Sequence, residues 1–364
     1  MKILLLGEYS NVHNTLAEGL RQLGHEVTVA SNGDFWKDYT RDVDLARKPG
    51  KVGGVCLMAK VYSLLPQWRG FDVVQLINPM FLELKAERIL PIYKYLRKHN
   101  KKMVLGAFGM DWYWVNECTF RKPLRYSDFN IGDKVRTDDA AVIEQRDWLN
   151  TPKGRLNQTI ANDCDGIVTG LYEYQVCYEP YFPQKTQFIP YPIKVPANLP
   201  PIETEPAPVK FFIGISKGRN AYKGTDIMLQ AAEAVLQKYP GRLELIKAEG
   251  VPFAQYQQMM DGSDVLIDQL YSYTPAMNAL LAMSKGIICI GGGEAENYDI
   301  LGETELHPII NVEPNFESVY NQMEQLVLHP DCIQELKRQS IEYIRRHHDY
   351  MKVARRYESF YQEL

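Results

Sequence analysis

A chain of 364 residues exceeds the size at which one hydrophobic core usually stops growing, so two domains are expected. With 45% hydrophobic and 24% charged residues it has the make-up of an ordinary globular protein, which excludes the disordered and fibrous classes. A formal net charge of -4 gives no general attraction to polyanions and argues against nucleic acid as a partner.

The chain opens with Ile3 to Leu6, an apolar strand closed by Gly7 and Glu8 and too short for an export signal. A helix follows with Leu16, Leu20 and Leu23 on one face and Gly24 as its terminator, and then a second strand from Glu26 to Ala30. That is a βαβ unit. Further strands are expected at Val73 to Ile77, Met103 to Ala107 and Gly166 to Thr169, with helical patterns between them such as Leu84 to Lys98. Strands alternating with helices predict a parallel sheet covered on both faces.

Near residue 190 the texture changes to a proline-rich stretch, Pro196 to Pro208, which reads as a linker over 196–209. The alternation then restarts: strand Phe211 to Ile215, helix Thr225 to Tyr239, strands Leu243 to Ile246 and Asp264 to Asp268, helix Thr274 to Lys285, strand Ile287 to Ile290. A helical pattern from Asp331 to Arg346 and an amphipathic helix from Tyr350 to Leu364 complete the chain. The expected division is an N-terminal domain over 1–195, the linker, a C-terminal domain over 210–346, and a final helix over 347–364. No stretch reaches the ~20 apolar residues needed to cross a bilayer, and a cytoplasmic location is expected, with the inner membrane face as an option. The six scattered cysteines form no Cys-x-x-Cys pair and read as reduced, mostly buried thiols.

Open parallel sheets bind ligands at the carboxyl ends of their strands, which directs attention to the turns that follow them. Ser216-Lys217-Gly218-Arg219-Asn220-Ala221-Tyr222-Lys223-Gly224 lies between a strand and a helix start and has the charge and free amides of a diphosphate cradle; a solvated basic loop is the alternative. In Tyr271 to Asn278, Thr274 suits an N-cap, Pro275 the first helical position and Gly286 the residue past the end, with Tyr273, Met277 and Asn278 near the exposed amides. Gly291-Gly292-Gly293-Glu294-Ala295-Glu296 allows close backbone approach, with Glu294 or Glu296 available to ribose or sugar hydroxyls, or it is a flexible turn.

In the first half, Gly7-Glu8-Tyr9-Ser10-Asn11-Val12-His13 lacks a full G-x-G-x-x-G, so dinucleotide binding is not supported there. Asp111 with Trp112, Tyr113 and Trp114 is either part of an acceptor site, where rings stack on sugars, or core. The triplets Asp42-Val43-Asp44 and Asp163-Cys164-Asp165 end no predicted strand, and no metal is predicted. The basic runs Arg97 to Lys102 and Arg121 to Arg125 read as a solvated helix end and a loop, with docking on an anionic membrane left open.

Several segments in order resemble the retaining glycosyltransferases of the GT-B fold, family four, also called glycosyl transferases group one. These are Leu23 to Val27, Ile189-Pro190-Tyr191-Pro192, Lys223-Gly224-Thr225-Asp226, Ser263-Asp264-Val265, and Leu281-Ala282-Met283-Ser284-Lys285-Gly286. The resemblance implies two Rossmann-like domains facing across a cleft, with the final helix, 347–364, packing back on the first domain. It implies a nucleoside-diphosphate sugar on the second domain, held by Ser216, Lys217, Arg219, Lys223, Gly224, Tyr273, Thr274, Met277, Asn278, Glu294 and Glu296, with Arg219 and Lys223 as the basic pair on the diphosphate. A glycan or lipid-linked acceptor would sit on the first, at Glu8, Tyr9, His13, Asp111 and Trp112. Transfer of a hexose would proceed with retention, without metal or other cofactor, with Asp111, Arg219 and Lys223 as the catalytic groups.

One departure stands out: the family's two donor-contacting glutamates fall on Tyr273 and Leu281. Donor contacts are therefore rearranged, through Asn278 and Glu294 or Glu296, or activity is lost and the chain binds a nucleotide or glycan without turning it over. A sugar-nucleotide epimerase on the same fold is a third reading, disfavoured because the second-domain loops hold no His for acid/base work.

Overall fold

The computed structural model describes residues 1–199, 202, 208–215, 218 and 220–364. In chain order its elements are β1 (Lys2–Leu6), α1 (Val12–Gln22), β2 (Glu26–Ser31), β3 (Val43–Asp44), α2 (Gly50–Leu64), β4 (Val73–Leu76), α3 (Ala86–His99), β5 (Lys102–Ala107) and α4 (Trp112–Asn116). A small hairpin, β6 (Asn130–Ile131) and β7 (Lys134–Val135), precedes α5 (Asp139–Trp148), α6 (Pro152–Asp163), β8 (Gly166–Thr169), α7 (Tyr172–Tyr178) and β9 (Thr186–Phe188). The second half runs β10 (Val209–Ile215), α8 (Asn220–Lys223), α9 (Thr225–Lys238), β11 (Leu243–Glu249), α10 (Phe253–Met260), β12 (Val265–Ile267), α11 (Met277–Ser284), β13 (Ile288–Gly291) and α12 (Ala295–Leu301). It closes with β14 (Ile310–Asn311), α13 (Phe316–Leu328), α14 (Ile333–Tyr343) and α15 (Tyr350–Glu363).

The chain forms two compact units. The first comprises 1–123, 144–192 and 350–364, and the second 124–143 and 193–349. This differs from a simple cut near 195, because 124–143 leaves the first half to pack in the second unit. Of the expected linker, residues 200, 201 and 203–207 lie outside the described residues.

The first unit holds a seven-stranded parallel sheet in the order β3-β2-β1-β4-β5-β8-β9. Ile3 to Leu6 are wholly buried, as a strand sandwiched between two helical layers must be. Gly7 follows at φ +85°, and a Cβ there would stand 2.3 Å from the Ile77 side chain, so the turns after β1 and β4 approach each other only because residue 7 is glycine. Helix α15 packs on α1 across Gly19, where a Cβ would meet Ala354 at 2.7 Å, and Gln75 under the sheet accepts the Tyr361 hydroxyl at 2.7 Å.

The second unit has a five-stranded parallel sheet, β11-β10-β12-β13-β14. Its core joins Phe211, Ile213, Ile267 and Ile290 of the sheet to Met228 and Val235 of α9 and Met323 of α13. Both sheets are doubly wound α/β structures.

Candidate functional site

In the first sheet the chain leaves β1 toward β2 and β3 on one side and continues from β4 on the other, so β1 and β4 flank the topological switch point, where such sheets bind ligands. A cavity of ≈ 70 Å³ lies there. Gly7, Glu8 and Tyr9 follow β1, Asn32 and Phe35 follow β2, and Ile77, Met80, Phe81 and Leu82 follow β4 around it. Ser10, Asn11, Asp34, Phe35 and Asp38 nearby all have left-handed backbone, a costly conformation that gathers at ligand sites.

Glu8 is buried, and its two oxygens accept the His13 and Asn14 amides at 3.2 and 2.8 Å at the start of α1. Burial outweighs those amides and raises its pKa to about 8. His13 does not face a ligand: it is fully buried, and burial lowers its pKa to about 4. Neutral, it donates from Nδ1 to the Gly7 carbonyl at 2.8 Å and accepts Gln75 at Nε2, 3.1 Å away. Its place as an acceptor-binding residue is thus corrected to a strut beneath the pocket.

Asp111 is likewise fully buried, and its carboxylate is a helix cap. One oxygen accepts the Trp114 amide at 2.9 Å, the usual N-cap contact, here for α4, and the other accepts the Tyr178 hydroxyl at 2.7 Å. Burial raises its pKa to about 7. With both oxygens engaged inside the unit, Asp111 has no geometry for a catalytic or acceptor-binding part. Trp112 beside it is half-buried and retains a surface, and the Tyr9 ring lies against Gly109.

On the second unit, Ser216, Lys217 and Arg219 lie outside the described residues. Lys223 ends α8, its carbonyl accepts the Leu270 amide at 3.0 Å, and Gly224 precedes α9 at φ +71°, with Leu270 and Tyr271 close enough to refuse a Cβ. The Lys223 charge acts on Asp268 at the carboxyl end of β12, where burial pushes the carboxyl up while Lys223 and Asn278 draw it back. Asn278 donates to Asp268 at 3.4 Å and accepts the Tyr256 hydroxyl at 3.2 Å. Helix α11 begins at the half-buried Met277 and has no side-chain cap. The expected cap, Thr274, is instead buried in the turn, its carbonyl accepting the Ser272 hydroxyl at 2.6 Å.

The turns after β12 and β13 converge, beside the junction of α8 and α9. Gly292 lies so close to Ser272 that a Cβ would stand 2.6 Å from its carbonyl oxygen, and the Glu294 amide donates to the Tyr273 carbonyl at 3.1 Å. Across them runs segment 124–143. The Arg125 amide donates to the Tyr273 hydroxyl at 2.7 Å, its guanidinium reaches both Glu294 and Glu296, and Tyr126 packs on Tyr273 with ring centroids 4.9 Å apart. Burial is the largest single influence on Glu296 and pushes it up, but the Arg125 hydrogen bond, the backbone amide of Glu296 and the Arg125 charge together outweigh it and hold the carboxyl below its ordinary range. Further along, Arg136 stacks on Tyr271 at 3.8 Å and donates to the carbonyls of Ala221 at 2.7 Å and Tyr222 at 3.0 Å, while the Tyr222 hydroxyl donates to Asp128 at 2.8 Å.

Arg136→Ala is expected to cost about 1.5–3 kcal/mol, the worth of hydrogen bonds from a charged group, read as a lower urea midpoint at unchanged slope. No periodicity marks 124–143, whose partners stand 85 to 171 residues away; the sequence signal it carried was the basic run ending at Arg125.

The basic runs are not a bare cationic surface. Arg97 pairs with Asp165 at 2.8 Å, Lys101 with Asp72 at 2.7 Å, Arg121 with Glu117 at 3.0 Å and Arg125 with the two glutamates. These pairs offset part of the positive charge of both runs. The aspartate triplets are similarly consumed: Asp42 pairs with Arg21, and Asp165 also accepts the Met103 amide. Asp44 does end a strand, β3, and pairs with Arg41. Among the described residues no helix is long and apolar enough to cross a membrane.

No protein-family model and no curated protein matches the sequence. Solved structures do match in fold. TarM of S. aureus, crystallised with fondaparinux, alpha-GlcNAc-glycerol and UDP, aligns with 84% of this chain at 10% identity and a TM-score of 0.56, this chain spanning 58% of TarM. HepE of Anabaena, in complex with UDP and glucose, aligns over 100% of both chains at 11% identity and a TM-score of 0.60. UDP-GlcNAc 2-epimerase of Neisseria meningitidis, bound to UDP-GlcNAc, also aligns over 100% of both, at 10% identity and a TM-score of 0.56. The shared architecture is GT-B, a pair of Rossmann-like domains.

Proposed function

We propose that this chain is a nucleotide-sugar glycosyltransferase that moves a hexose from a nucleoside-diphosphate sugar, uridine diphosphate first among the candidates, to a glycan or lipid-linked acceptor in surface polysaccharide assembly. The observation that carries this reading is the convergence of the turns after β12 and β13 beside the junction of α8 and α9, which gathers Lys223, the start of α9, Glu294 and Glu296 at one carboxyl edge. A lysine beside a helix N-terminus suits a leaving diphosphate, and two carboxylates suit ribose or sugar hydroxyls. Transfer with retention and without a metal is what the family resemblance implies, and on that reading the developing charge is met by the cation and the helix amides. The pocket at the switch point of the first sheet, with Glu8 and Tyr9, is the acceptor's place in this scheme. Uridine nucleotides come first because TarM, HepE and the epimerase were each crystallised with one.

Thermal-shift measurements against uridine, guanosine and adenosine diphosphates and their sugars test it. A ligand at a hundredfold excess over its dissociation constant stabilises by about 2.7 kcal/mol, so the uridine set is expected to raise Tm clearly. No shift with any nucleotide sinks the reading. A second reading, binding without turnover, is favoured by Tyr273, which stands where the family has a glutamate and offers its hydroxyl to the Arg125 amide. Release of free sugar from the donor in the absence of acceptor separates the two, because a binder releases none.

A further inference from the structure

The carboxylates assigned to the donor are already taken by the chain itself. Arg125 Nη1 donates to Glu296 Oε1 at 2.5 Å, and Nη2 donates to Glu294 Oε2 at 2.7 Å and Glu296 Oε2 at 3.2 Å. The Tyr126 hydroxyl donates to the remaining oxygen, Glu294 Oε1. All four oxygens are therefore engaged by two consecutive residues of segment 124–143. We propose that Arg125 and Tyr126 are an internal occupant of the donor site, and that a nucleotide sugar binds Glu294 and Glu296 only by displacing them. This rests on the donor reading above and adds a competitor to it.

The segment and its arginine differ in how firmly they are held. Phe129 is fully buried, Arg136 donates to the Ala221 and Tyr222 carbonyls, and Asp128 accepts the Tyr222 hydroxyl. Lifting the whole segment would unpack an aromatic ring and break these hydrogen bonds. The Arg125 side chain, by contrast, is 58% exposed, and ion pairs this exposed are weak. Its guanidinium can leave while the segment stays, so the occupant is a swinging side chain on a fixed wall. Tyr273 fits the same account: where the family's glutamate would meet the sugar, its hydroxyl holds the Arg125 amide and its ring lies 4.9 Å from the guanidinium.

Calorimetric titration of UDP-glucose and UDP-GlcNAc into the full chain and its R125A and R125Q variants tests the proposal, the second variant keeping the aliphatic stem and a polar end in case truncation disturbs folding. Removing the competitor is expected to tighten binding about two- to fivefold in both variants, the range a partly exposed ion pair can withhold. Binding by the variants alone, with the native chain silent, supports it more strongly still. Equal or weaker binding by both variants, with the native chain binding normally, overturns the occupant and leaves the donor reading intact; weaker binding would make Arg125 a donor ligand instead. If no nucleotide sugar binds any of the three proteins, the donor reading falls and takes this inference with it.

Discussion

Lys223→Ala is expected to lower kcat/KM for the donor about 10²- to 10³-fold while leaving the urea midpoint nearly unchanged, because its part is electrostatic and its packing slight. As the sugar leaves, negative charge accumulates on the diphosphate, and a fixed cation that meets it in the transition state is worth roughly 3–4 kcal/mol. Lys223 is suited to this: it sits one residue before the glycine that opens α9, and its charge is felt at Asp268 on the carboxyl edge of the sheet. Lys223→Arg should recover part of the loss, since charge is retained and only position changes. The measurement is steady-state turnover of a nucleotide sugar by both variants beside the native chain. A fall confined to KM would assign Lys223 to uniform binding, and activity within twofold of native would remove it from the site.

Stability is expected to decline between about pH 5 and pH 8, opposite to the usual behaviour of exposed, ion-paired carboxylates. Burial raises Glu8 from 4.5 to about 8 and Asp111 from 3.8 to about 7, so the folded chain keeps protons that the unfolded chain has already released. Their contribution is complete below pH 4 and is lost as pH climbs through those raised values, at about 1.4 kcal/mol per pH unit for each proton. His13 works the other way. Lowered from 6.5 to about 4, it adds stability as pH rises across that interval and cancels one of the two carboxyls. The net slope is therefore shallow below pH 6.5, steepest between 6.5 and 7, and carried by Glu8 alone up to pH 8. Urea midpoints taken at half-unit steps should show this shape, and Glu8→Gln should level the segment above pH 7. A profile that rises from pH 6 to pH 8 would mean that water reaches these carboxyls.

Much of the fold is legible in the order of the amino acids. Parallel strands buried on both faces leave short apolar runs such as Ile3 to Leu6, and glycines with left-handed backbone, Gly24 and Gly286 among them, mark where helices stop. The sites are less legible, for a physical reason: a carboxylate that caps a helix and one that handles a substrate look alike in sequence. Asp111 and His13 carry the residue types that chemistry requires, but burial and neighbours such as Tyr178 and Gln75 turn them into supports. Thr274-Pro275 has the pattern of a helix start, yet the Ser272 hydroxyl claims the Thr274 carbonyl and the helix begins at Met277. Arg125 and Arg136 escape notice because contacts that span some 85 to 171 residues leave no local trace.

The interleaving of the two units bears on how the chain is made. Residues 124–143 emerge from the ribosome well before the strands they lie across, and the first unit waits for its closing helix, α15, which is synthesised only after the second unit. Neither unit is complete when its own half of the polypeptide has appeared, so the usual order of one domain finishing before the next begins is unavailable here. A fragment covering 193–349 alone would leave Tyr271 and Tyr273 without Arg136 and Tyr126 over them, and would carry Glu294 and Glu296 as an unbalanced acidic pair.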